Sequence, residues 1–189
     1  MERSLRVLEE SGIADQALGV GELAPDFGLP DAAGSDVRLS ELLNAGPVVV
    51  SFYRGDWCPY CNLELLALQQ ALEGFLDAGA TLVAISPNLP DGSMRVVERH
   101  ELGYTVLSDV GNHAASEFGL VFQVEDDLED EYRDMGIDIA ESNGGTAWEI
   151  PLPATYVIDQ DRTIIYAFVD VDYRKRAEPV DVIAAIEAL

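Results

Sequence analysis

The stretch Val48-Val49-Val50-Ser51-Phe52-Tyr53-Arg54-Gly55-Asp56-Trp57-Cys58-Pro59-Tyr60-Cys61-Asn62 decides the fold and holds the most recognisable chemistry in the chain. Its first half is short, β-branched and almost continuously apolar, as expected of a central strand buried on both faces. Its second half opens a helix. Cys58, Cys61, Leu65, Leu68, Leu72 and Phe75 recur at intervals of three, four, three, four and three, which is one face of an α-helix. Pro59 fits the first helical turn, where a missing N–H costs nothing. Both sulfurs therefore share a face one turn apart, close enough for a disulfide. Cys58 is expected where the strand delivers the chain to the surface, and Cys61 one turn deeper toward the core.

Working outward, the helix is predicted from Pro59 to about Leu76 and is followed by a strand at Thr81–Ser86. A helix at about Ser93–Glu101, a strand at Tyr104–Leu107 and a helix at Asn112–Phe118 come next. Late strands at Ala154–Ile158 and Thr163–Val169 are joined by the turn Asp159-Gln160-Asp161-Arg162, and Val180–Leu189 closes as an amphipathic helix. Upstream, residues 2–18 read as helical with a break at Ser11-Gly12. Short strands are expected at Asp26–Leu29 and Asp36–Leu39, and Ser40 is expected to cap a one-turn helix over Glu41–Asn44. Strands alternating with helices at these lengths specify an α/β sandwich with a late antiparallel hairpin. No repeat or low-complexity linker interrupts it, so residues 1–189 are read as one domain with a helical extension over residues 1–20.

Charge narrows the partners. The 189 residues include 11 Lys+Arg against 35 Asp+Glu, a formal net charge of -24. Nucleic acid and anionic membrane surfaces both require basic patches, so neither is expected as a partner. No apolar run approaches the roughly 20 residues that span a bilayer. The N-terminus lacks the apolar core of a signal peptide, and the cytoplasm is the expected location. The acidity reads as a solvated, solubilising surface. Adaptation to high salt is the sharper alternative, since Lys175 is the only lysine. Glu125 to Glu141 concentrates nine carboxylates around Leu128, Tyr132, Met135, Ile137 and Ile139. It reads as an exposed helix with a modest apolar face, or alternatively as a flap over the site.

Two cysteines cannot frame a chain of this length with disulfides, so they are read individually. A zinc site needs four ligands, and the only histidines, His100 and His113, sit far away at non-finger spacing, so no metal is expected. A thiol at a helix N-terminus meets the positive end of the helix dipole and unpaired N–H groups, which lower its pKa and make it a nucleophile. Arg54 would add to that shift if it points toward the sulfur. A C-x-x-C pair after a buried strand therefore reads as a redox dithiol rather than as two inert core thiols.

The stretch from Phe52 to Glu64 resembles the peroxiredoxin-like branch of the alkyl hydroperoxide reductase/thiol-specific antioxidant (AhpC/TSA) family. So do Leu23-Ala24-Pro25-Asp26-Phe27-Gly28-Leu29-Pro30 before it and Leu152-Pro153-Ala154-Thr155-Tyr156-Val157-Ile158-Asp159 after it. The resemblance implies a thioredoxin-like three-layer α/β/α sandwich on a mixed sheet. Three departures bear on activity. Peroxide-reducing members carry Thr or Ser three residues before the reactive cysteine, Pro seven before, and Arg just ahead of the late strand; this chain has Gly55, Ser51 and Pro153. Likeness to thioredoxins and glutaredoxins instead implies a cis Leu152-Pro153 bond beside the dithiol. The buried Asp that thioredoxins place six residues before the first cysteine is Phe52 here, which leaves Glu64, either solvent-facing or an assistant to Cys61.

The expectation is thus a thiol–disulfide oxidoreductase without a bound cofactor. Cys58 attacks a disulfide, or more slowly a hydroperoxide, and Cys61 resolves the product. Trp57 and Tyr60 flank the sulfur as a docking rim, Pro153 presents backbone groups to the substrate, and an external thioredoxin- or glutathione-like thiol resets the pair. A homo-oligomer is compatible with this reading. The alternatives are a thiol peroxidase and a redox-sensing interaction domain.

Overall fold

The computed structural model describes residues 2–145 and 147–189, with residues 2–4 described by their backbone alone. Met1, included in the N-terminal extension read from the sequence, lies outside the described residues, as does Thr146. The chain opens with α1 (Glu2–Ser11) and α2 (Ile13–Gln16), separated where Gly12 takes a left-handed conformation at φ 68°. That is the break expected from Ser11-Gly12, and glycine makes it without a Cβ penalty. A two-stranded antiparallel ribbon of β1 (Gly28–Pro30) and β2 (Asp36–Arg38) leads into α3 (Leu39–Leu42). Ser40 does not cap this helix, because it lies inside it. The Asp26 carboxylate reaches over instead, accepting the Ser40 N–H at 2.9 Å and its hydroxyl at 3.0 Å.

The centre follows the predicted alternation. β3 (Val48–Phe52) is buried along its whole length. The helix after it is divided at Ala71 into α4 (Pro59–Gln70) and α5 (Leu72–Asp77). β4 (Thr81–Ser86), α6 (Pro90–His100), β5 (Thr105–Ser108) and α7 (His113–Glu117) complete the parallel half. α6 begins three residues earlier than read from Ser93, since Pro90 starts it and Ser93 is buried against Ser108 at 2.8 Å.

Next come β6 (Val121–Gln123), α8 (Asp126–Asp134), α9 (Ile139–Ser142) and β7 (Glu149–Pro151). β6 and β7 pair only with each other, and neither was expected: three residues are too few to show a period of two. β8 (Ala154–Ile158), β9 (Ile164–Val169) and α10 (Pro179–Glu187) finish the chain.

The main sheet has the order β5-β4-β3-β8-β9. β3, β4 and β5 run parallel, while β8 runs antiparallel to β3 with Phe52 opposite Ala154. Alternate residues of β3 feed two cores. Val48, Val50 and Phe52 meet Leu39, Ala115 and Phe118 on one face. Val49 meets Leu65, Phe75, Val96, Val182 and Ile186 on the other, and both cysteines belong to this second layer. The result is the three-layer α/β/α sandwich on a mixed sheet. Among the described residues no helix is long and apolar enough to cross a membrane.

Candidate dithiol site

β3 ends and α4 begins within seven residues, and the site is built from that turn. Gly55 makes it possible: its φ is 149°, and a Cβ there would stand 2.5 Å from Trp57 Nε1 and 3.1 Å from Asn88 Oδ1. Asn88 Oδ1 accepts the Asp56 N–H at 2.8 Å, and the Asn62 amide donates to the Asp56 and Cys58 carbonyls at 2.9 and 2.8 Å. The turn is therefore held from both sides. Cys58 becomes the N-cap residue of α4, Pro59 its first residue, and Cys61 follows within the first turn.

Both cysteines are free thiols and both are fully buried. The expectation that Cys58 meets the surface is corrected: Arg54, itself only 6% exposed, covers it. Arg54 Nη2 donates to Cys58 Sγ at 3.1 Å, and Nη1 donates to the Tyr132 hydroxyl at 3.4 Å. Its guanidinium carbon lies 4.0 Å from the Tyr173 ring centre and 5.1 Å from that of Trp57. An arginine that leaves bulk water here keeps its charge through the sulfurs and the faces of two rings.

The two thiols are pushed in opposite directions. Cys58 is lowered to about 5, first by the hydrogen bond from the Cys61 thiol and then, against the cost of burial, by the charge and hydrogen bond of Arg54. Cys61 is pushed well above the ordinary thiol range by burial, by its hydrogen bond to Cys58 and by the negative charge that Cys58 carries. One proton shared between adjacent sulfurs thus resides on Cys61.

The second sulfur has its own charged neighbours. Glu64 is neither solvent-facing nor in direct hydrogen-bond contact with Cys61. It is buried, and its carboxylate accepts from Arg176 Nε at 2.6 Å. Arg176 Nη2 in turn reaches Cys61 Sγ at 3.7 Å, and Nη1 donates to the Tyr173 and Lys175 carbonyls. Burial lifts Glu64 to about 7 despite the arginine beside it.

The other residues singled out from the sequence fall around this centre. Trp57 is half-buried beside the site and edge-on to Tyr132 with ring centres 5.4 Å apart. Tyr60 is exposed and meets Tyr173 edge-on at 5.6 Å. Pro153 is buried and lines an apolar pocket with Arg54, Phe122, Leu128 and Tyr132, a pocket that ends at Arg54 without reaching either sulfur. The expected cis bond is corrected, since no cis peptide occurs among the described residues. The chain enters β8 from the β6–β7 ribbon instead, with the Leu152 N–H on the Leu120 carbonyl at 2.8 Å. Ser51 is buried in β3 with its hydroxyl unpaired.

The acidic segment turns out to contribute directly. Tyr132 of α8 belongs to a satellite cluster with Val124, Ile139, Trp148 and Ile150, and that cluster packs against Trp57. Tyr132, Tyr173 and Arg176 were not assigned roles from the sequence. Arg176 had one usable signal, the run Arg174-Lys175-Arg176 in a chain with only 11 basic residues. Among the described residues no three His, Cys, Asp or Glu side chains are grouped to hold a metal ion.

Known proteins resemble this chain to different extents. Peroxiredoxin Q of Gentiana triflora, a chloroplastic protein, is 37% identical over 100 residues, which is 53% of this chain and 46% of that protein. Peroxiredoxin Bcp of Escherichia coli K12 is 31% identical over 103 residues, 54% of this chain and 65% of the relative. The chain thus spans less than two thirds of these curated relatives. The crystal structure of peroxidoxin BcpB from Mycobacterium tuberculosis superposes with a TM-score of 0.73 at 26% identity, covering 91% of this chain and 98% of the other. The AhpC/TSA family profile matches residues 20–167, a span that includes both two-stranded ribbons, the dithiol turn and the main sheet up to the middle of β9. With that match over most of its length and a thioredoxin-like sheet beneath its two cysteines, the chain belongs to the AhpC/TSA family.

Proposed function

We propose that this chain is a thiol-dependent peroxidase in which Cys58 is the nucleophile and Cys61 the resolving thiol. The observation that carries this reading is Arg54 Nη2 on Cys58 Sγ at 3.1 Å inside a buried site. A cation so placed keeps the sulfur ionised at neutral pH and stands ready for the charge that develops on a peroxide oxygen. The thiolate attacks the O–H oxygen of the peroxide, the O–O bond breaks, and the departing alkoxide or hydroxide takes up a proton from water. Cys58 is then a sulfenic acid. Cys61 attacks its sulfur, the S–S bond forms, the S–O bond breaks, and water leaves. An external thioredoxin- or glutathione-like thiol returns two electrons, and the cytoplasm, rich in such thiols, is the proposed setting.

Burial favours peroxide over disulfide substrates. A peroxide needs only a small opening beside Arg54, whereas a protein disulfide must align both of its sulfurs with Sγ and would require Trp57, Tyr132 and Tyr173 to part. The ordering read from the sequence, disulfide first, is therefore reversed here. Disulfide exchange stays as the second reading on one observation: Gly55 offers no hydroxyl where peroxide-reducing members carry one, and Trp57 fills the space. Stopped-flow Trp fluorescence separates the two. Oxidation by hydrogen peroxide or an alkyl hydroperoxide far faster than by a small-molecule disulfide supports the peroxidase, and the reverse order refutes it.

A further inference from the structure

The peroxidase reading needs Cys61 to lose a proton at the moment it attacks, yet this thiol is fully buried and its ionisation is strongly opposed. A lone negative charge created there would be costly. The structure offers a way to create it without changing the net charge of the interior. Glu64 and Cys61 lie three residues apart on α4, and Arg176 bridges them, with Nε 2.6 Å from the Glu64 carboxylate and Nη2 3.7 Å from Cys61 Sγ.

We propose that Glu64 and Arg176 handle the proton of Cys61: as Cys61 attacks, its proton passes to the Glu64 carboxylate, and Arg176 shifts its pairing from that carboxylate to the new thiolate. Before the step the cluster holds Glu64 as an anion, Arg176 as a cation and Cys61 as a thiol. After it, Glu64 is a neutral acid and Cys61 the anion, so the total is unchanged. Attack on the Cys58 sulfenic acid then forms the S–S bond and breaks the S–O bond, and the Glu64 proton completes the water that leaves. On reduction the proton moves the other way: a thiol attacks Cys58 Sγ as its proton passes to the Glu64 carboxylate, the S–S bond breaks, Cys61 departs as a thiolate facing Arg176, and Glu64 hands that proton to it.

Glu64 is poised for this role, being held at about 7 by burial. The ionisable groups facing Glu64 and Cys61 are Cys58 at the N-cap of α4, Tyr53 just after β3, Arg54 from the following turn, Tyr104 from the approach to β5, and Arg176 from the 170–178 connector. Tyr104 stays neutral, pushed up by burial, and donates to the Leu65 carbonyl at 2.9 Å. A cleft lined by Tyr60, Leu63, Ala67, Arg174, Ala177 and Glu178 opens onto Glu64 and Arg176, and provides the exchange route with solvent.

The proposal rests on the peroxidase reading for its sulfenic acid step but not for its proton, so two measurements separate them. In rapid mixing with peroxide, formation of the Cys58 sulfenic acid and its closure to the disulfide are timed independently. Glu64→Gln should slow closure by about 100-fold more than it slows sulfenic acid formation, and Glu64→Asp should restore part of the loss. In the wild type, closure should fall as pH drops through about 7, because the acceptor must be ionised. Equal effects of Glu64→Gln on both steps, or closure without a break near that pH, overturn the proposal.

The second measurement uses the unaltered chain and needs no peroxide. The Cys58–Cys61 couple is equilibrated with a dithiol redox buffer from pH 5 to 9, with the Glu64 carboxyl followed by 13C NMR in both redox states. Glu64 should titrate at different pH in the reduced and oxidised forms, and an identical titration overturns the proposal. Failure of peroxide to oxidise the wild type refutes the peroxidase reading and leaves this second result to judge the proton pair.

Discussion

The two ends of one helical turn hold the same side chain in opposite states. At Cys58 an arginine clamped between Trp57 and Tyr173 donates straight to the sulfur, and the thiol is lowered to about 5. At Cys61 a second arginine stands at 3.7 Å, but its charge is already engaged by Glu64, and the thiol is pushed well up. Burial is complete at both, so burial alone does not divide the roles. The division comes from which arginine is free to serve the sulfur and from the single proton the sulfurs share. A nucleophile and a resolving thiol need that asymmetry: one must be ionised in advance, the other only when its target has formed.

The largest effect expected in breaking this asymmetry comes from the sulfurs themselves. Cys58→Ser should abolish turnover. Cys61→Ser should permit one oxidation of Cys58 and then stall, leaving a sulfenic acid or a mixed disulfide with the reductant that mass spectrometry of the intact chain detects. A Cys61→Ser chain that keeps cycling would show that the second sulfur does not resolve the first.

Next in size is Arg54→Gln. Losing the cation should move Cys58 from about 5 toward its ordinary range, near 8.5, which thiolate absorbance at 240 nm follows directly. Because the thiolate is the reactive form, the peroxide step should decline in the wild type only as pH drops through about 5. In the variant that decline should move to higher pH, and the peroxide step at neutral pH should slow about 10- to 100-fold. An unchanged absorbance titration would locate the asymmetry elsewhere, in the Cys61 hydrogen bond.

Gly55→Thr tests the turn that sets the sulfurs in place. It inserts the side chain type that peroxide-reducing relatives carry, but into space that the Trp57 indole fills, at a φ of 149°. The expected outcome is destabilisation by about 1–3 kcal/mol in urea unfolding, with a shifted Trp emission as the indole is displaced. A chain that accepts Thr without loss would mean that Trp57 moves freely.

Tyr132→Phe should be the mildest. It removes one long hydrogen bond to Arg54 at 3.4 Å while keeping the ring against Trp57. A loss near 1 kcal/mol, read as a few-fold slower peroxide step, fits a supporting contact.

The strand, the turn and the helix that present both sulfurs were legible because their signals are local. A continuous β-branched run, Pro59 in the first turn and apolar spacing over Cys58 to Phe75 each report on neighbours within a turn or a pleat. Arg54 was legible as a candidate for the same reason, being four residues from the sulfur it contacts. Reading failed where partners come from afar. The Ser40 cap failed because Asp26, fourteen residues back, supplies the acceptor. The exposure of Cys58 was misread because its cover includes Tyr132 and Tyr173, from an acidic helix and a late connector.

By itself the sequence determined the α/β/α order, the placement of two cysteines on one helix face and the helix start that favours a thiolate. Tertiary structure alone decided which arginine meets which sulfur, that Glu64 pairs with Arg176 across 112 residues, and that Cys58 lies buried against Arg54. The reason is physical. Backbone propensity and amphipathic period act over a few residues. The energy of a buried charge depends on every group that surrounds it once the chain has closed on itself.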